Sequence, residues 1–237
     1  MLFYDTYELL SEAAVQFFTT ECARTVRDHG KFTVALSGGN TPKLLYKLLS
    51  SKQFSSNIDW SRVFIFFSDE RYVAHTNKES NFKLANDNLF RKINIPQKNI
   101  FPIPTSASAS KDALKYERTI RKFFGNNTPS FDLIMLGMGA DGHTASLFPG
   151  SDVLNEKERL VIEVYKPETD SYRISFTFSL LNAAQEKLVL VSGEEKMPII
   201  KKLLDKKNKK IEYPIQLVKG NLLWMVEKAK PQRTRVR

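Results

Sequence analysis

The stretch FTVALSGGNTPKLLYKLL, residues 32–49, joins a short apolar run, a glycine-rich turn and an amphipathic segment. Phe32–Leu36 has the length of a buried strand, and the leucines after Pro42 recur at helical spacing. We predict Thr41 as the N-cap of the helix and Pro42 as its first residue. A strand that leads through a tight turn into a helix is the repeating unit of a parallel α/β sheet.

The same succession of strand, polar turn and helix recurs along the chain. Apolar runs predict further strands over residues 63–67, 131–136, 160–165, 173–178, 187–191 and 214–218. Helical spacing of apolar residues predicts helices over 7–29, 80–91, 110–124, 194–205 and 221–229. Short apolar strands that alternate with helices indicate an α/β fold with a doubly wound, mainly parallel sheet and helices on both faces.

Length and composition predict one domain over residues 1–237 with a basic tail over about 228–237. The 42% hydrophobic residues suffice for a core. No apolar run approaches the roughly 18 residues of a membrane helix, and the first residues lack the features of a secretory signal. Cys22 is the one cysteine, which fits a reducing compartment. We therefore expect a cytoplasmic protein that does not insert into membranes.

The formal net charge of +10 allows several partners, namely nucleic acid, a membrane surface or a phosphorylated metabolite. Much of the excess is local, with six lysines over residues 201–210 and three arginines over 233–237. We interpret these as a solvated helix end and a tail. Nucleic acid is not the expected partner, because the chain lacks a helix-turn-helix, zinc-finger or aromatic-studded strand pattern.

Three predicted strands end in polar or glycine-rich clusters, and ligands of such sheets bind at the carboxyl ends of the strands. The first cluster contains Gly38, Gly39, Asn40 and Thr41. Glycines permit close backbone approach, and a helix start offers free N–H groups to an anion such as phosphate. A tight turn with an ordinary cap is the alternative. It is not a Walker loop, since no Gly-Lys-Ser/Thr follows.

The second cluster, Ser68-Asp69-Glu70-Arg71, contains a carboxylate that can orient a catalytic group and an arginine that can bind phosphate. A salt-bridge network at the strand end is the alternative. Arg173 begins a predicted strand and Lys196 begins a predicted helix after a glycine. Each of these two cations is either an anion ligand or an ordinary surface charge.

The third cluster places His143 directly after a strand end, where a base would face the crevice. Imidazole has an intrinsic pKa suited to general base catalysis near neutral pH, and a structural histidine is the alternative. The glycines at 137, 139 and 142 match a dinucleotide pattern, but Pro149-Gly150 interrupts the helix that such a site needs. We therefore expect no nicotinamide cofactor, and because the chain has three histidines and one cysteine we expect no zinc site.

Together these clusters resemble the 6-phosphogluconolactonase family, within the superfamily that also contains glucosamine-6-phosphate deaminases. The longest match is GMGADGHTASLFPG, residues 137–150. Shorter matches are SGGNTP at 37–42, SDERYV at 68–73, SNF at 80–82, YRIS at 172–175, LNAA at 181–184 and Ser192-Gly193 followed by Lys196. The similarity extends from about residue 30 to 226.

Two kinds of difference refine this resemblance. The deaminases tend to have a glutamate before the loop proline, whereas this chain has Phe148, which favours the lactonase. The segment 167–171 replaces the proline- and arginine-rich approach usual before Arg173, and Lys219-Gly220 replaces a more usual proline-containing turn. These departures bear on loop details and substrate affinity more than on the reaction.

The resemblance implies hydrolysis of 6-phospho-D-glucono-1,5-lactone to 6-phosphogluconate in the pentose phosphate pathway, without cofactor or metal. His143 is then the general base on water, and Asp69 or Asp141 orients it or the water. Gly139 and Gly142 offer backbone donors to the oxyanion, and Arg71 is a further candidate. The phosphate is expected to meet Gly38, Gly39, Asn40, Thr41, Arg173 and Lys196. A deaminase-like enzyme and a non-catalytic protein that binds anions or nucleic acid remain as alternatives.

Overall fold

The computed structural model describes residues 1–205, 207 and 210–228. Part of the lysine-rich segment 201–210 and nearly all of the predicted tail 228–237 therefore lie outside the described residues. The strands are β1 (Leu2–Tyr4), β2 (Phe32–Leu36), β3 (Val63–Phe67), β4 (Asp69–Arg71), β5 (Leu133–Gly137), β6 (Val161–Lys166), β7 (Ser171–Phe176), β8 (Glu186–Val191) and β9 (Leu222–Glu227). The helices are α1 (Tyr7–His29), α2 (Thr41–Leu49), α3 (Lys52–Ser55), α4 (Asn81–Asn88), α5 (Ala109–Phe124), α6 (Phe178–Ala183) and α7 (Met197–Leu204).

The central sheet has six parallel strands in the order β1-β9-β8-β5-β2-β3. Every residue of β2 is buried, as expected for a strand covered on both faces. The chain runs outward from β2 to β3, then returns to β5 and proceeds through β8 to β9. Its direction therefore reverses between β2 and β5, which is the point where open α/β sheets bind ligands. The predicted mainly parallel α/β fold is confirmed.

Directly after β3 the chain enters a second sheet, which is antiparallel and has the strand order β4-β7-β6. Ser68 joins the two sheets, because its N–H donates to the Leu36 carbonyl at 2.9 Å and its own carbonyl accepts from the Phe176 N–H at 2.8 Å. Residues 69–71, predicted as the polar end of the preceding strand, instead form β4 and pair with β7. The sheet thereby brings residues near 70 next to residues near 173.

Two predictions near the end of the chain are wrong. Residues 214–218 form a 3-10 turn, Pro214–Leu217, and the predicted helix 221–229 contains β9 instead. The run Leu-Leu-Trp-Met-Val suits a buried helix or a strand equally, and pairing of β9 with both β8 and β1 selects the strand. The predicted strand 173–178 ends at Phe176, and the last two residues lead into α6.

The helix after β2 also begins one residue earlier than predicted. Asn40 is the N-cap, with helical φ and ψ of −77° and −34°, and Thr41 and Pro42 lie inside the helix. The side chain of Asn40 makes no capping hydrogen bond. Within the described residues, no helix is long and apolar enough to cross a membrane.

Candidate active site

A cleft of about 240 Å³ opens where β2 and β5 end. The central sheet supplies the loops after these two strands, and the antiparallel sheet supplies side chains from β4, β6 and β7. The sequence-predicted residues that line the cleft are Gly38, Gly39, Asn40, Thr41, Asp69, Arg71, Gly139, His143, Arg173 and Lys196. Three clusters and two cations that are far apart in sequence therefore share one cavity.

The glycine loop after β2 approaches its neighbours closely. A Cβ on Gly38 would lie 1.7 Å from Asn81 Oδ1, so a side chain does not fit there, and Gly39 has a φ of +91°. Tyrosines brace the loop, since Tyr46 Oη donates to the Ser37 carbonyl at 2.5 Å and Tyr7 Oη to the Asn40 carbonyl at 2.9 Å. Pro42 has no N–H, and the N–H groups of Lys43 and Leu44 donate to the Asn40 carbonyl and to Tyr7 Oη, so the donors suited to an anion are the N–H of Thr41 and those of the loop before it.

His143, which lines the cleft, forms a pair with Asp141. Asp141 Oδ1 accepts the backbone N–H of His143 at 3.1 Å and lies 2.5 Å from His143 Nδ1. This contact assigns the proton to Nδ1 and leaves Nε2 as an acceptor, the arrangement that a general base needs. Burial raises the pKa of Asp141, but the hydrogen bonds from His143 and the positive charge of its imidazolium form lower the pKa by more, so the carboxylate is ionised near neutral pH.

The two carboxylates that sequence analysis left as alternatives have different partners. Asp141 contacts His143, whereas the buried Asp69 accepts from Ser146 Oγ at 2.7 Å and from Asn81 Nδ2 at 3.2 Å. Asp69 lines the cleft and Asp141 does not. Asp141 therefore has the geometry to orient the imidazole, and Asp69 has the position to contact a bound water or ligand.

The backbone donors predicted for an oxyanion are engaged inside their own loop. The Gly139 N–H donates to the His143 carbonyl at 2.9 Å, and the Gly142 N–H donates to the Gly139 carbonyl at 3.0 Å. These bonds close a tight turn in which a Cβ on Gly139 would lie 2.1 Å from His143 Nδ1. In this conformation neither N–H is directed at a ligand, because each already has an acceptor.

The cations on the cleft wall face one another with like charge. Arg71 and Arg173 are directly opposite in the pairing of β4 and β7, and Arg71 Nη1 donates to the Glu79 carbonyl at 2.6 Å. Burial lowers the pKa of Arg173, and the charge of Arg71 lowers it further. Burial also lowers the pKa of Lys196, whose Nζ donates to the Ser192 carbonyl at 2.8 Å. A bound anion would offset the unfavourable effect of burial on the charged forms of Arg173 and Lys196.

Sequence reasoning left several side chains of the cleft unassigned, among them Asn81, Phe148 and Lys166. The Phe148 ring packs on His143 with centroids 4.7 Å apart, and Lys166 Nζ lies 5.0 Å from the Phe148 centroid. Asn81 and Phe148 belong to stretches that matched the family, and this match could have identified them as site residues. Lys166 belongs to none, and its place follows from strand pairing.

A buried carboxylate stabilises the part of the cleft that β4 and the start of α4 form. Glu70 accepts hydrogen bonds from the N–H groups of Arg71 and Asn81, each at 2.7 Å, from Phe82 at 2.8 Å and from Ser80 Oγ at 3.0 Å. Glu70 thereby ties the start of α4 to β4. Among the described residues, no group of three His, Cys, Asp or Glu side chains is placed to hold a metal ion.

Comparison with known proteins gives a consistent result. The family model described as glucosamine-6-phosphate isomerases/6-phosphogluconolactonase matches residues 5–224. The chain is 35% identical to a 6-phosphogluconolactonase of Synechocystis sp., with 93% of this chain and 92% of that protein covered. It is 34% identical to the probable 6-phosphogluconolactonase 1 of Arabidopsis thaliana, with 95% and 90% covered.

Solved structures extend the similarity to three dimensions. The 6-phosphogluconolactonase of Thermotoga maritima superposes with a TM-score of 0.82 at 31% identity, over 96% of this chain and 98% of that one. A monomeric glucosamine-6-phosphate deaminase superposes with a TM-score of 0.79 at 19% identity, with 96% of each chain covered. The second likeness shows the shared fold alone.

Proposed function

The chain belongs to the glucosamine-6-phosphate isomerase/6-phosphogluconolactonase family, and we propose that it hydrolyses 6-phospho-D-glucono-1,5-lactone to 6-phosphogluconate. The observation that carries this proposal is the pairing of Asp141 with His143 at one end of a cleft whose wall is cationic. The pathway is then the pentose phosphate pathway. A single domain over residues 1–237, a cytoplasmic location and independence from cofactors and metals belong to the same proposal.

The reaction begins with a water molecule held beside His143. Nε2 accepts a proton from the water as its oxygen attacks the C1 carbonyl of the lactone, while Asp141 holds the Nδ1 proton and stabilises the imidazolium. The tetrahedral intermediate collapses with cleavage of the bond between C1 and the ring oxygen. The imidazolium then returns the proton to that oxygen, which becomes the C5 hydroxyl of the product. General base catalysis of this kind contributes roughly 10²–10⁴-fold.

A lactone is an activated ester, so water can attack it without a covalent enzyme intermediate. Asp69 is the candidate for orienting the water, because it lines the cleft and its oxygens are fixed by Ser146 and Asn81. The developing oxyanion requires a donor. Arg71 is one side-chain candidate, and Gly139 and Gly142 would serve only if the loop exchanged its internal hydrogen bonds for bonds to the substrate.

The substrate phosphate occupies the cationic end of the cleft in this proposal. The loop that leads into α2, with Gly38, Gly39, Asn40 and Thr41, offers backbone donors, and Arg173 and Lys196 offer charge. Both cations have a pKa lowered by burial, so a dianionic phosphate would restore a favourable environment for their charged forms.

The deaminase reaction is the second candidate because the fold supports both chemistries. A deaminase opens a pyranose ring and moves protons between carbons, which requires several acid–base groups. Phe148 occupies the position where those relatives have a glutamate, and its ring packs on His143. An aromatic ring does not titrate, so the cleft fits the simpler demands of lactone hydrolysis.

The decisive assay gives the purified protein each substrate in the presence of a chelator. We expect accelerated opening of 6-phosphogluconolactone, measured against spontaneous opening, and no ammonia from glucosamine 6-phosphate. Ammonia release without lactone acceleration would establish the deaminase instead. Inactivity on both substrates, together with salt-dependent binding of nucleic acid, would establish the non-catalytic alternative.

A further inference from the structure

One face of the antiparallel sheet carries three cations into the cleft. Side chains directly opposite in a β ladder lie on the same face, and alternate residues of a strand share a face. Arg71 is opposite Arg173, and Arg173 is opposite Val164. Lys166, two residues beyond Val164 on β6, therefore lies on the same face as both arginines, and all three cations line the cleft.

Lys166 differs from the arginines in its position along this face. Arg173 is adjacent to Arg71, whereas Lys166 lies beside Phe148, and Phe148 lies against His143. The ammonium group and the imidazole therefore contact the same aromatic ring. Among the described residues, no carboxylate lies within ion-pair distance of Lys166. Its half-buried charge is supported by the face of Phe148 instead.

The chemistry at C1 requires a positive group at this end of the cleft. During hydrolysis the carbonyl oxygen acquires a negative charge, and the product retains a carboxylate there. The N–H groups of Gly139 and Gly142 are engaged by carbonyls of their own loop, so a side chain must supply this stabilisation in the observed conformation. Arg71, the other side-chain candidate, donates to the Glu79 carbonyl and lies opposite Arg173, whereas Lys166 contacts the same Phe148 ring as His143.

We propose that Lys166 contacts the C1 oxygens, stabilising first the oxyanion and then the product carboxylate. The proposal rests on the proposed function, because it assumes that C1 of the sugar lies beside His143. The proposal assigns the two anionic ends of the substrate to different cations of the cleft. Arg173 and Lys196 bind the phosphate, and Lys166 recognises the end that reacts. It also gives Phe148 a role, since the ring holds the ammonium in place.

The test compares two ligands that differ only at C1. 6-Phosphogluconate has a carboxylate, whereas glucitol 6-phosphate has the same phosphate and a C1 hydroxyl. Affinities for both are measured by calorimetry for the wild type, Lys166→Met, Lys196→Met and a control, Lys111→Met, which removes an exposed lysine of α5 remote from the cleft lining.

We expect Lys166→Met to weaken 6-phosphogluconate about tenfold and to change glucitol 6-phosphate less than about twofold. Lys196→Met should weaken both ligands, and Lys111→Met neither. Lys166→Met should also lower kcat for the lactone about tenfold at an unchanged fold by circular dichroism, and Lys166→Arg should recover part of the loss.

Two results would overturn the proposal. Equal weakening of both ligands by Lys166→Met would make Lys166 a phosphate ligand, and unchanged affinity for both would make it a surface charge. Because binding is measured without turnover, the outcome is independent of the lactone assay. A wild type that hydrolyses the lactone while Lys166→Met behaves as wild type would refute this role alone. A wild type without lactone turnover would refute the proposed function.

Discussion

Two groups of residues at the cleft differ in how their charges are balanced: His143 with Asp141, which we call the histidine end, and Arg71, Arg173 and Lys196, which we call the cationic end. At the histidine end, Asp141 and His143 contact each other, and the glycine N–H groups of the loop bond to loop carbonyls. At the cationic end, Arg71 and Arg173 oppose each other with like charge, and burial lowers the pKa of Lys196. The polar groups of the histidine end are paired without a ligand, whereas the cationic end carries unbalanced positive charge, which in our proposal the substrate phosphate balances.

This difference separates two tasks that one substrate presents. A proton-transfer group has to be oriented before the substrate arrives, so its partners belong to the protein. A phosphate-binding group gains its full stabilisation from the phosphate, so its charges remain partly unbalanced in the free enzyme. Substitutions at the histidine end should therefore change the rate, and substitutions at the cationic end should change binding.

The largest effect is expected at His143. His143→Ala should lower kcat by at least about 10²-fold, because Nε2 is the proposed proton acceptor. Lactone hydrolysis is measured at saturating substrate, with circular dichroism as the control for folding. A folded His143→Ala protein with near-normal kcat would assign proton transfer to another group and remove the distinction between the two ends.

The next largest effect is expected at the phosphate cations. Arg173→Ala and Lys196→Ala should each weaken substrate binding by about 1.5–3 kcal/mol, the range for a hydrogen bond to a charged group. Inorganic phosphate should compete with substrate in the wild type and compete less well in both variants. Steady-state kinetics measure these effects. Wild-type KM and kcat/KM in both variants would show that the phosphate binds elsewhere.

A smaller effect is expected at Asp141. Its side chain is 51% exposed, so its pairing with His143 is screened by solvent. Asp141→Asn should lower kcat about 3–10-fold, corresponding to about 1 kcal/mol, and leave KM unchanged. Asp69→Asn is the informative comparison, because Asp69 does not contact His143. A rise in KM with constant kcat in Asp141→Asn would show that Asp141 contributes to ligand binding and not to the orientation of His143.

The smallest effect concerns stability. The pKa of Arg173 is lower in the folded chain than its ordinary value, so the charge is less favourable after folding. Arg173→Met should therefore raise Tm by roughly 1–3 °C without ligand, equally across pH 6–9 because arginine stays charged there. Added phosphate should raise Tm in the wild type and less in the variant. Lys111→Met is the control. A lower Tm for Arg173→Met without phosphate would contradict the claim that the charge of Arg173 is unbalanced in the folded chain.

The loops after the parallel strands, which carry residues 38–41 and His143, were accessible from sequence because their signal is local. Strands β2 and β3 are uninterrupted apolar runs, and the predicted bounds Phe32–Leu36 and Val63–Phe67 are confirmed. The rule that ligands bind at strand ends then places residues 38–41 and 137–143 in one crevice. Thr41 was wrong as N-cap, because the turn closes one residue earlier at Asn40.

The cationic end was less accessible because it depends on pairing between distant segments. Asp69–Arg71 is three residues long and pairs with residues about a hundred positions away, and no local periodicity indicates such a strand. Arg71 and Arg173 were both identified, but as separate candidates and not as an opposed pair. Lys166 was missed for the same reason, since its place on the cleft face follows from the register of β6 with β7.

The affinity of the cleft for glucitol 6-phosphate tests the division between the two ends most directly. This ligand carries the phosphate but has no carbonyl to react, so calorimetry reports the cationic end alone. We predict that His143→Ala binds it within about twofold of the wild type, whereas Lys196→Ala binds it at least about tenfold more weakly. A loss in His143→Ala as large as that in Lys196→Ala would contradict the account, because the histidine would then share in binding the phosphate.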